Sequence, residues 1–452
     1  MKKLSTSKMI LFAIGQFGWA LLSGLISNWL VYFYQPDAVA QKAGHTVFIP
    51  QGRVIIGIFT ILGGITALGR VFDAVTDPWI ASLSDRCKSK NGRRIPFLKF
   101  AAIPLAVSTI LVFCAPINEN SWLNAAWVFV FVMVYYLALT TYCTPYTALL
   151  PELGHSQEER INISTTISLT FIVGTAVAYA APVVWGSLEG SMGRIPAMRL
   201  TFVIFAVIAL IALFIPVFAI KEKDYVEAKP VEGTAFSSLV KTFRNKSFRI
   251  FVGSDILYFI ALTMFQTGLP FFVTSLLKLP ENMSTVYFVA MTALSLVFYA
   301  PINIVAKKIG KKKLVLIAFG MFSLAYLYTA FFGENLGINT TVQGYILVVI
   351  AAMPMAIFGI LPQAMLADIS ESDAVTTGEN REGMFYAART FAFKMGQSLA
   401  MLIFTAIATV GTSGTGYRIA AGIAAAFCIM GGVVLFFYNE KNVNAIIKQS
   451  NK

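Results

Sequence analysis

The stretch KEKDYVEAKPVEGTAFSSLVKTFRNKSFR, residues 221–249, is polar, carries seven Lys or Arg, and lies near the middle of a 452-residue chain that is otherwise strongly apolar. Six long apolar segments precede it, near residues 8–34, 54–80, 96–116, 123–150, 163–187 and 198–220. Six follow it, near 250–277, 284–306, 314–333, 342–367, 383–411 and 416–438. Crossing a hydrocarbon core of about 30 Å takes roughly 20 apolar residues in helical form, so each segment is long enough for one crossing. The expected domains are a six-helix bundle over 1–220, a cytoplasmic linker over 221–249, a second six-helix bundle over 250–438 and a cytoplasmic tail over 439–452.

Composition agrees with this division. Apolar residues make up 57% of the chain and charged residues only 13%, and the mean hydropathy is +0.73, outside the range of ordinary soluble domains. The fold class is therefore an all-α membrane protein of twelve transmembrane helices. Lys2, Lys3 and Lys8 lead into a long stretch without a small-residue cleavage site, so the first segment reads as a span and not as a removed signal. The net charge of +13 would suggest nucleic acid in a soluble protein, but here it reports orientation. With loops alternated, only Lys42, Arg53, Arg194, Arg199, Lys278 and Arg418 fall in the loops of one side. The opposite, Lys/Arg-rich side is the cytoplasm by the positive-inside rule, and it holds both termini. A cell inner-membrane location follows as an expectation.

The two sets of six also match in punctuation. SDRCKSKNGRR (84–94), between spans 2 and 3, has its counterpart in AKKIGKKK (306–313), between spans 8 and 9. A repeat of this kind is what the major facilitator architecture requires, with two six-helix halves rocking about a site near the midplane.

Charged residues within spans carry the functional reading. Span 2 contains LGRVFDAVTDPW (68–79), in which Asp73 and Asp77 are four residues apart and lie on one helix face. A carboxylate at depth costs roughly 2.5–3.5 kcal/mol even on permissive insertion scales, so two on one face require a partner, a water-filled cavity or a bound cation. Span 4 offers oxygen ligands for a hard cation in LTTYCTPY (139–146), where Thr140, Thr141 and Thr144 carry hydroxyls. The competing arrangement is structural, with Arg70 pairing to Asp73 and Asp77 latching the cytoplasmic hairpin.

Span 11 contains YAARTFAFKMGQ (386–397), which sets Arg389 and Lys394 in apolar sequence. A buried Lys seeks a carboxylate, such as Asp73 or Asp77, or an anionic solute. Asp255 in span 7 is expected to reach water or Arg249. Gln16, Trp19 and Asn28 on span 1 could form the aromatic platform and polar contacts of a sugar site. His45, in the loop QPDAVAQKAGHTVFIPQGR (35–53), and His155 are expected to be solvated. Four cysteines without paired spacing indicate neither a disulfide framework nor a zinc site.

Three blocks, RVFDAVTDPWIASLSDRCKSKNGRRIPF (70–97), TPYTALLPELGHSQEERI (144–161) and MLADISESDAVTTGENREGMFYAARTFAFKMGQSL (365–399), resemble the glycoside-pentoside-hexuronide:cation symporters, the melibiose-permease-like family of the major facilitator superfamily. The resemblance covers nearly the whole chain. It implies that Asp73 and Asp77 bind the coupling cation, with Thr140 as a nearby hydroxyl ligand, and that Lys394 couples cation to solute; Arg70, beside Asp73, is expected to take part in coupling. Substrate contacts are expected at Gln16, Trp19, Cys143, Thr144, Thr147, Arg389 and Lys394. The family's sugar-binding acids fall at Ala20 and Cys143, and its Trp and Arg positions at Thr147 and at Thr166 or Ile167. These departures argue against a melibiose-like galactoside and make an anionic sugar such as a hexuronide more plausible by charge.

The expected activity is cation-coupled symport of a sugar, glycoside or hexuronide, with Na⁺ or H⁺ as coupling cation and no cofactor. The alternative is a non-sugar organic anion or amphiphile on the same fold. The partners are then a small-molecule solute and the lipid bilayer, with no nucleic acid, and the chain is expected to work as a monomer. Ring-type channels do not fit a two-half repeat. An enzyme would need a constellation of His, Cys or metal ligands that the sequence lacks. ATP-driven transport would need a phosphate-binding glycine loop, and none is present.

Overall fold

The computed structural model describes residues 4–154, 156–225, 242–378, 381–412 and 414–450. The chain divides into two compact units, Met1–Glu232 and Gly233–Lys452. The first contains α1 (Thr6–Tyr34), α2 (Ile61–Asp85), α3 (Ile95–Phe113), α4 (Trp122–Leu153), α5 (Gln157–Tyr179, continued by Ala181–Met192) and α6 (Arg194–Ala219). The second contains α7 (Lys246–Phe271), α8 (Asn282–Ile309), α9 (Lys311–Ala330), α10 (Thr340–Thr377), α11 (Glu382–Ala408), α12 (Thr415–Phe436) and the tail helix α13 (Glu440–Ser450).

Eleven helices among the described residues are long and apolar enough to cross a membrane, α5 and its continuation counting as one. The twelfth crossing is α2, which is 25 residues long. Its Arg70, Asp73, Asp77 and Asp85 lower its apolarity, so the helix with the weakest membrane signature is the one that carries the charged cluster.

The two units repeat one packing scheme. In the first, α1 packs on α5 and α6, α3 on α4 and α6, and α2 on α4. In the second, α7 packs on α11 and α12, α9 on α10 and α12, and α8 on α10. The repeat extends to single side chains at the ends of the units. Glu222, just after α6, accepts hydrogen bonds from the backbone N–H of Arg93 (2.8 Å), Arg94 (2.9 Å) and Ile95 (3.0 Å) at the start of α3. Glu440, just after α12, accepts from Lys311 (2.7 Å) and Lys312 (3.2 Å) at the start of α9. In both places a carboxylate satisfies orphan donors and opposes the positive end of the helix dipole. Gly92 (φ +109°) and Gly310 (φ +93°) make the turn before each cap, a backbone conformation that a side chain would strain.

Several boundaries differ from the sequence expectation. Span 2 begins at Ile61 because Thr60 caps it, accepting from Gly63 N–H at 3.0 Å. Residues 55–59 before it form a tight turn with Ile55 bridged to Phe59. Span 5 breaks at Ala180, just before Pro182, where a proline suits the first turn of a new helix. Span 10 runs ten residues past its expected end, to 38 residues or about 57 Å. The polar run ADISESDAVTT lacks a helix breaker until Gly378, whose left-handed conformation closes the helix. The central stretch 226–241 and His155 lie outside the described residues.

His45 is not solvated. It is 3% exposed, its Nε2–H donates to the Phe33 carbonyl at 2.9 Å, and its Nδ1 accepts from Arg194 Nε at 3.4 Å. Burial first, and then the Arg194 charge, lower its pKa to about 4, against the bond to Phe33. The loop folds back onto the ends of α1 and α6, with the His45 ring edge-on to Phe33 and Tyr32.

Candidate functional site

The charged face of α2 meets the hydroxyl face of α4 as two rungs of one ladder. Thr140 Oγ1 donates to Asp73 Oδ1 at 2.5 Å, and Thr144 Oγ1 donates to Asp77 Oδ1 at 3.0 Å. Both pairs are four residues apart on their own helices, so the rungs are successive turns of the same contact. Asp73 is 2% exposed and Asp77 half-buried. Arg70 Nη1 lies 3.9 Å from Asp73 Oδ2, its Nη2 donates to Ser27 Oγ on α1 at 3.2 Å, and its guanidinium lies over the Tyr136 ring at 5.1 Å.

The close approach depends on Gly69. A Cβ there would fall 2.5 Å from Tyr136 Cε2 and 2.9 Å from Val132 Cγ1 on α4. A side chain at 69 must displace Tyr136 or push α2 away from α4, which disturbs the rungs one turn away. Thr141 takes no part in the ladder through the hydroxyl bond it makes to Leu137 O within its own helix.

The cytoplasmic hairpin has its own carboxylates. Arg94 pairs with Asp85 at 2.6 Å and with Glu152 at 3.2 Å, and Arg93 reaches Glu152 at 3.2 Å. The hairpin latch anticipated at Asp77 is thus built from Asp85 and Glu152. The reason is position: Asp85 ends α2 beside the basic turn, whereas Asp77 is two turns deeper.

The other expected site residues fall in several places. Gln16 is buried on α1. Trp19 is half-buried, with its ring 5.7 Å from Phe171 on α5 and its indole N–H without a hydrogen-bond partner. Asn28 Nδ2 also lacks one. Cys143 is a half-buried cysteine on α4, outside any disulfide and between the two rungs in sequence. Thr147 is exposed at its hydroxyl, which bonds the Cys143 and Thr144 carbonyls of its own helix. Lys394 is half-buried on α11, in the second unit.

Asp255 and Arg389 depart from expectation together. Arg389 Nε donates to Asp255 Oδ2 at 2.7 Å and its Nη2 to Oδ1 at 3.1 Å, a bidentate pair joining α11 to α7. The pair is buried, with Asp255 5% and Arg389 8% exposed. Asp255 therefore neither reaches water nor depends on Arg249, because its face of α7 turns toward α11. The pairing of these two charges was not anticipated from the sequence. An acid and an arginine within apolar segments of one half were the available signal.

Residues 11–442 match the family described as MFS/sugar transport protein. The chain is 26% identical to the uncharacterized symporter YjmB of Bacillus subtilis (strain 168), over 88% of this chain and 82% of that one. It is 23% identical to the isoprimeverose transporter of Lactiplantibacillus pentosus, over 90% of this chain and 80% of that one. Among solved structures, the nucleoside transporter NupG superposes with a TM-score of 0.68, covering 96% of this chain and all of that one at 13% identity, which speaks to fold alone. The chain belongs to the MFS/sugar transport protein family and is a twelve-helix major facilitator transporter of the glycoside–cation symporter group, not an enzyme.

Proposed function

We propose that the protein couples the entry of a sugar-type solute to a cation, Na⁺ or H⁺, by alternating access, with Asp73 and Asp77 as the cation site. The observation that carries this reading is the two-rung contact of α2 and α4, which sets two carboxylates and two hydroxyls on adjacent turns. Oxygen donors of this kind suit a hard cation, and either carboxylate can instead take a proton. Thr140 is the hydroxyl ligand at the upper rung, and Thr144 serves the lower one.

A cation held there neutralises α2 and relieves the cost of its buried charge, which favours the solute-competent state. Arg70, already 3.9 Å from Asp73, and Lys394 serve as the coupling cations of the protein. Trp19 supplies an aromatic face and a free indole donor, the pairing that sugar hydroxyls and C–H faces use. Gln16, Cys143 and Thr147 complete the solute contacts. The relative named as an isoprimeverose transporter supports a glycoside as the solute. The basic loops support an inner-membrane orientation with both termini cytoplasmic.

Moving one charge down 100 mV supplies about 2.3 kcal/mol, enough for roughly fiftyfold accumulation. Reconstituted protein should give a solute-dependent current when jumped with neutral glycosides, pentosides or hexuronides, and the current should require the coupling cation and vanish in Asp73→Asn. Undiminished accumulation in that variant would remove the cation assignment, and no current with any sugar would remove the sugar reading.

A further inference from the structure

A groove of about 450 Å³ runs between α9 and α12 in the second unit. Leu316, Phe319 and Gly320 line it from α9, and Ile429, Val433 and Phe436 from α12. These residues recur at three- and four-residue spacing, so the groove follows one face of each helix. From Lys312, at the start of α9, to Ser323, the deepest α9 residue of the lining, the helix rises about 16 Å, close to half of a hydrocarbon core about 30 Å thick. Its depth is thus that of one leaflet. Two glycines keep it open. A Cβ at Gly320 would meet nothing within 4 Å, and one at Gly432 would approach Phe319 Cβ at 3.3 Å.

Apolar surface is what every membrane span offers the bilayer, so this lining selects no particular lipid. The rim does. Lys312 Nζ donates to the Phe436 carbonyl at 2.7 Å and lies over the Phe436 ring at 5.2 Å, which places an ammonium at the mouth of the groove. Its charge opposes the dipole at the C-terminal end of α12, and because an ammonium has three N–H donors this bond leaves two. Lys307, Lys308 and Lys313 are exposed around the same turn. The carboxylates there are engaged: Glu440 accepts from the Lys311 and Lys312 backbone, and Asp368 pairs with Lys311 Nζ. The mouth is cationic and the groove beneath it is apolar.

We propose that this groove is a binding site for one anionic phospholipid, with its phosphate at the Lys312 and Lys313 ammonium groups and one acyl chain along Leu316, Gly320 and Val433. The lipid comes from the leaflet on the side of the basic loops. Charge complementarity and groove length together choose the occupant. A free phosphate would use the lysines and leave the apolar walls uncovered, and a zwitterionic lipid would cover the walls but bring a second cation to a cationic mouth. A net-negative phospholipid satisfies both. Bound there, it would bridge the basic hairpin at 306–313 to the end of α12.

Each Lys near a membrane surface strengthens anionic-lipid binding about fivefold. Lys312 and Lys313 together should therefore favour a net-negative headgroup over a zwitterionic one by roughly 25-fold. Gly320 supplies an independent handle. Gly320→Leu would fill the groove from open space, with no clash at its Cβ and with better helix propensity than glycine, so it removes the site without an expected loss of fold.

The test is native mass spectrometry of the full-length protein in detergent, titrated with palmitoyl-oleoyl phosphatidylglycerol or with phosphatidylcholine of the same chains. Lipid bound to the unmodified protein minus lipid bound to Gly320→Leu gives the occupancy of this groove alone. It should saturate at one phosphatidylglycerol and half-fill at roughly 25-fold lower concentration than with phosphatidylcholine. Lys312→Gln should narrow that preference about fivefold, and Lys312→Arg should keep it. Equal lipid counts in the unmodified protein and Gly320→Leu, equal half-filling by the two lipids, or a preference unchanged in Lys312→Gln would each overturn the site. Glycerol 1-phosphate, the headgroup without chains, should not displace the lipid at equal concentration; displacement would assign the lysines to a free phosphate and overturn the lipid. If Lys312→Gln does not fold, the difference curve against Gly320→Leu decides.

Discussion

Replacing Thr140 by Val removes one hydroxyl from the Asp73 rung while keeping the shape of the side chain. The lost contact is a 2.5 Å hydrogen bond to a carboxylate that is 2% exposed. Hydrogen bonds to charged groups are worth about 1.5–3 kcal/mol, which corresponds to roughly 10- to 150-fold in an equilibrium constant. The sign depends on the coupling cation. If Na⁺ binds, the Thr140 oxygen turns its lone pair to the ion as a ligand, and its loss raises the half-saturating Na⁺ concentration by about that factor. If a proton binds, the hydroxyl stabilises the free carboxylate and competes with the proton, so its loss lowers the half-saturating H⁺ concentration. The assay is the cation dependence of uptake in proteoliposomes at fixed solute, with Thr140→Ser as the control that restores the hydroxyl. Half-saturation unchanged for both cations in Thr140→Val, with wild-type uptake, would refute the assignment of Thr140 to the cation site.

Gly69→Ala should impair the same site from one turn away. Its methyl must displace Tyr136 or α2 itself, at about 1–3 kcal/mol, and thermal stability should fall together with cation affinity. Removing the charge of Glu222, which is 2% exposed and accepts three backbone donors, should cost about 1–3 kcal/mol. Glu222→Gln would show this as a lower melting temperature, and Glu440→Gln should do the same more weakly because Glu440 accepts two bonds. His45 is held neutral in the fold with a pKa of about 4 against 6.5 unfolded. Its contribution, about 3 kcal/mol, is therefore complete above about pH 6.5 and lost as the pH falls toward 4. A melting temperature that declines over that window, and a flatter decline in His45→Gln, are the expected results.

Much of the architecture was legible in the residues because the bilayer leaves few options. A segment of apolar residues long enough to cross must be helical, since its backbone groups find no partner in lipid. The polar run at 221–249 therefore divides the helices into two sets. The basic turns at 84–94 and 306–313 mark equivalent hairpins, which the structure shows capped by Glu222 and Glu440. Helix ends were less legible, because α10 extends through polar sequence until Gly378 and α5 breaks at Ala180 for a local reason, the proline that follows.

By itself the sequence determined which residues are costly in a membrane, because burial energy depends on residue type and on depth along a span. Asp73, Asp77, Arg70, Asp255, Arg389 and Lys394 stand out in that way without any knowledge of their neighbours. Only the tertiary structure decided which of them meet. Whether Asp73 faces Thr140, whether Asp77 or Asp85 serves the hairpin, and whether Asp255 reaches Arg249 or Arg389 depends on helix rotation and on ångström-scale approach. Those are set by contacts such as Gly69 against Tyr136 and α7 against α11, between residues far apart in the chain, which periodicity along one helix does not encode.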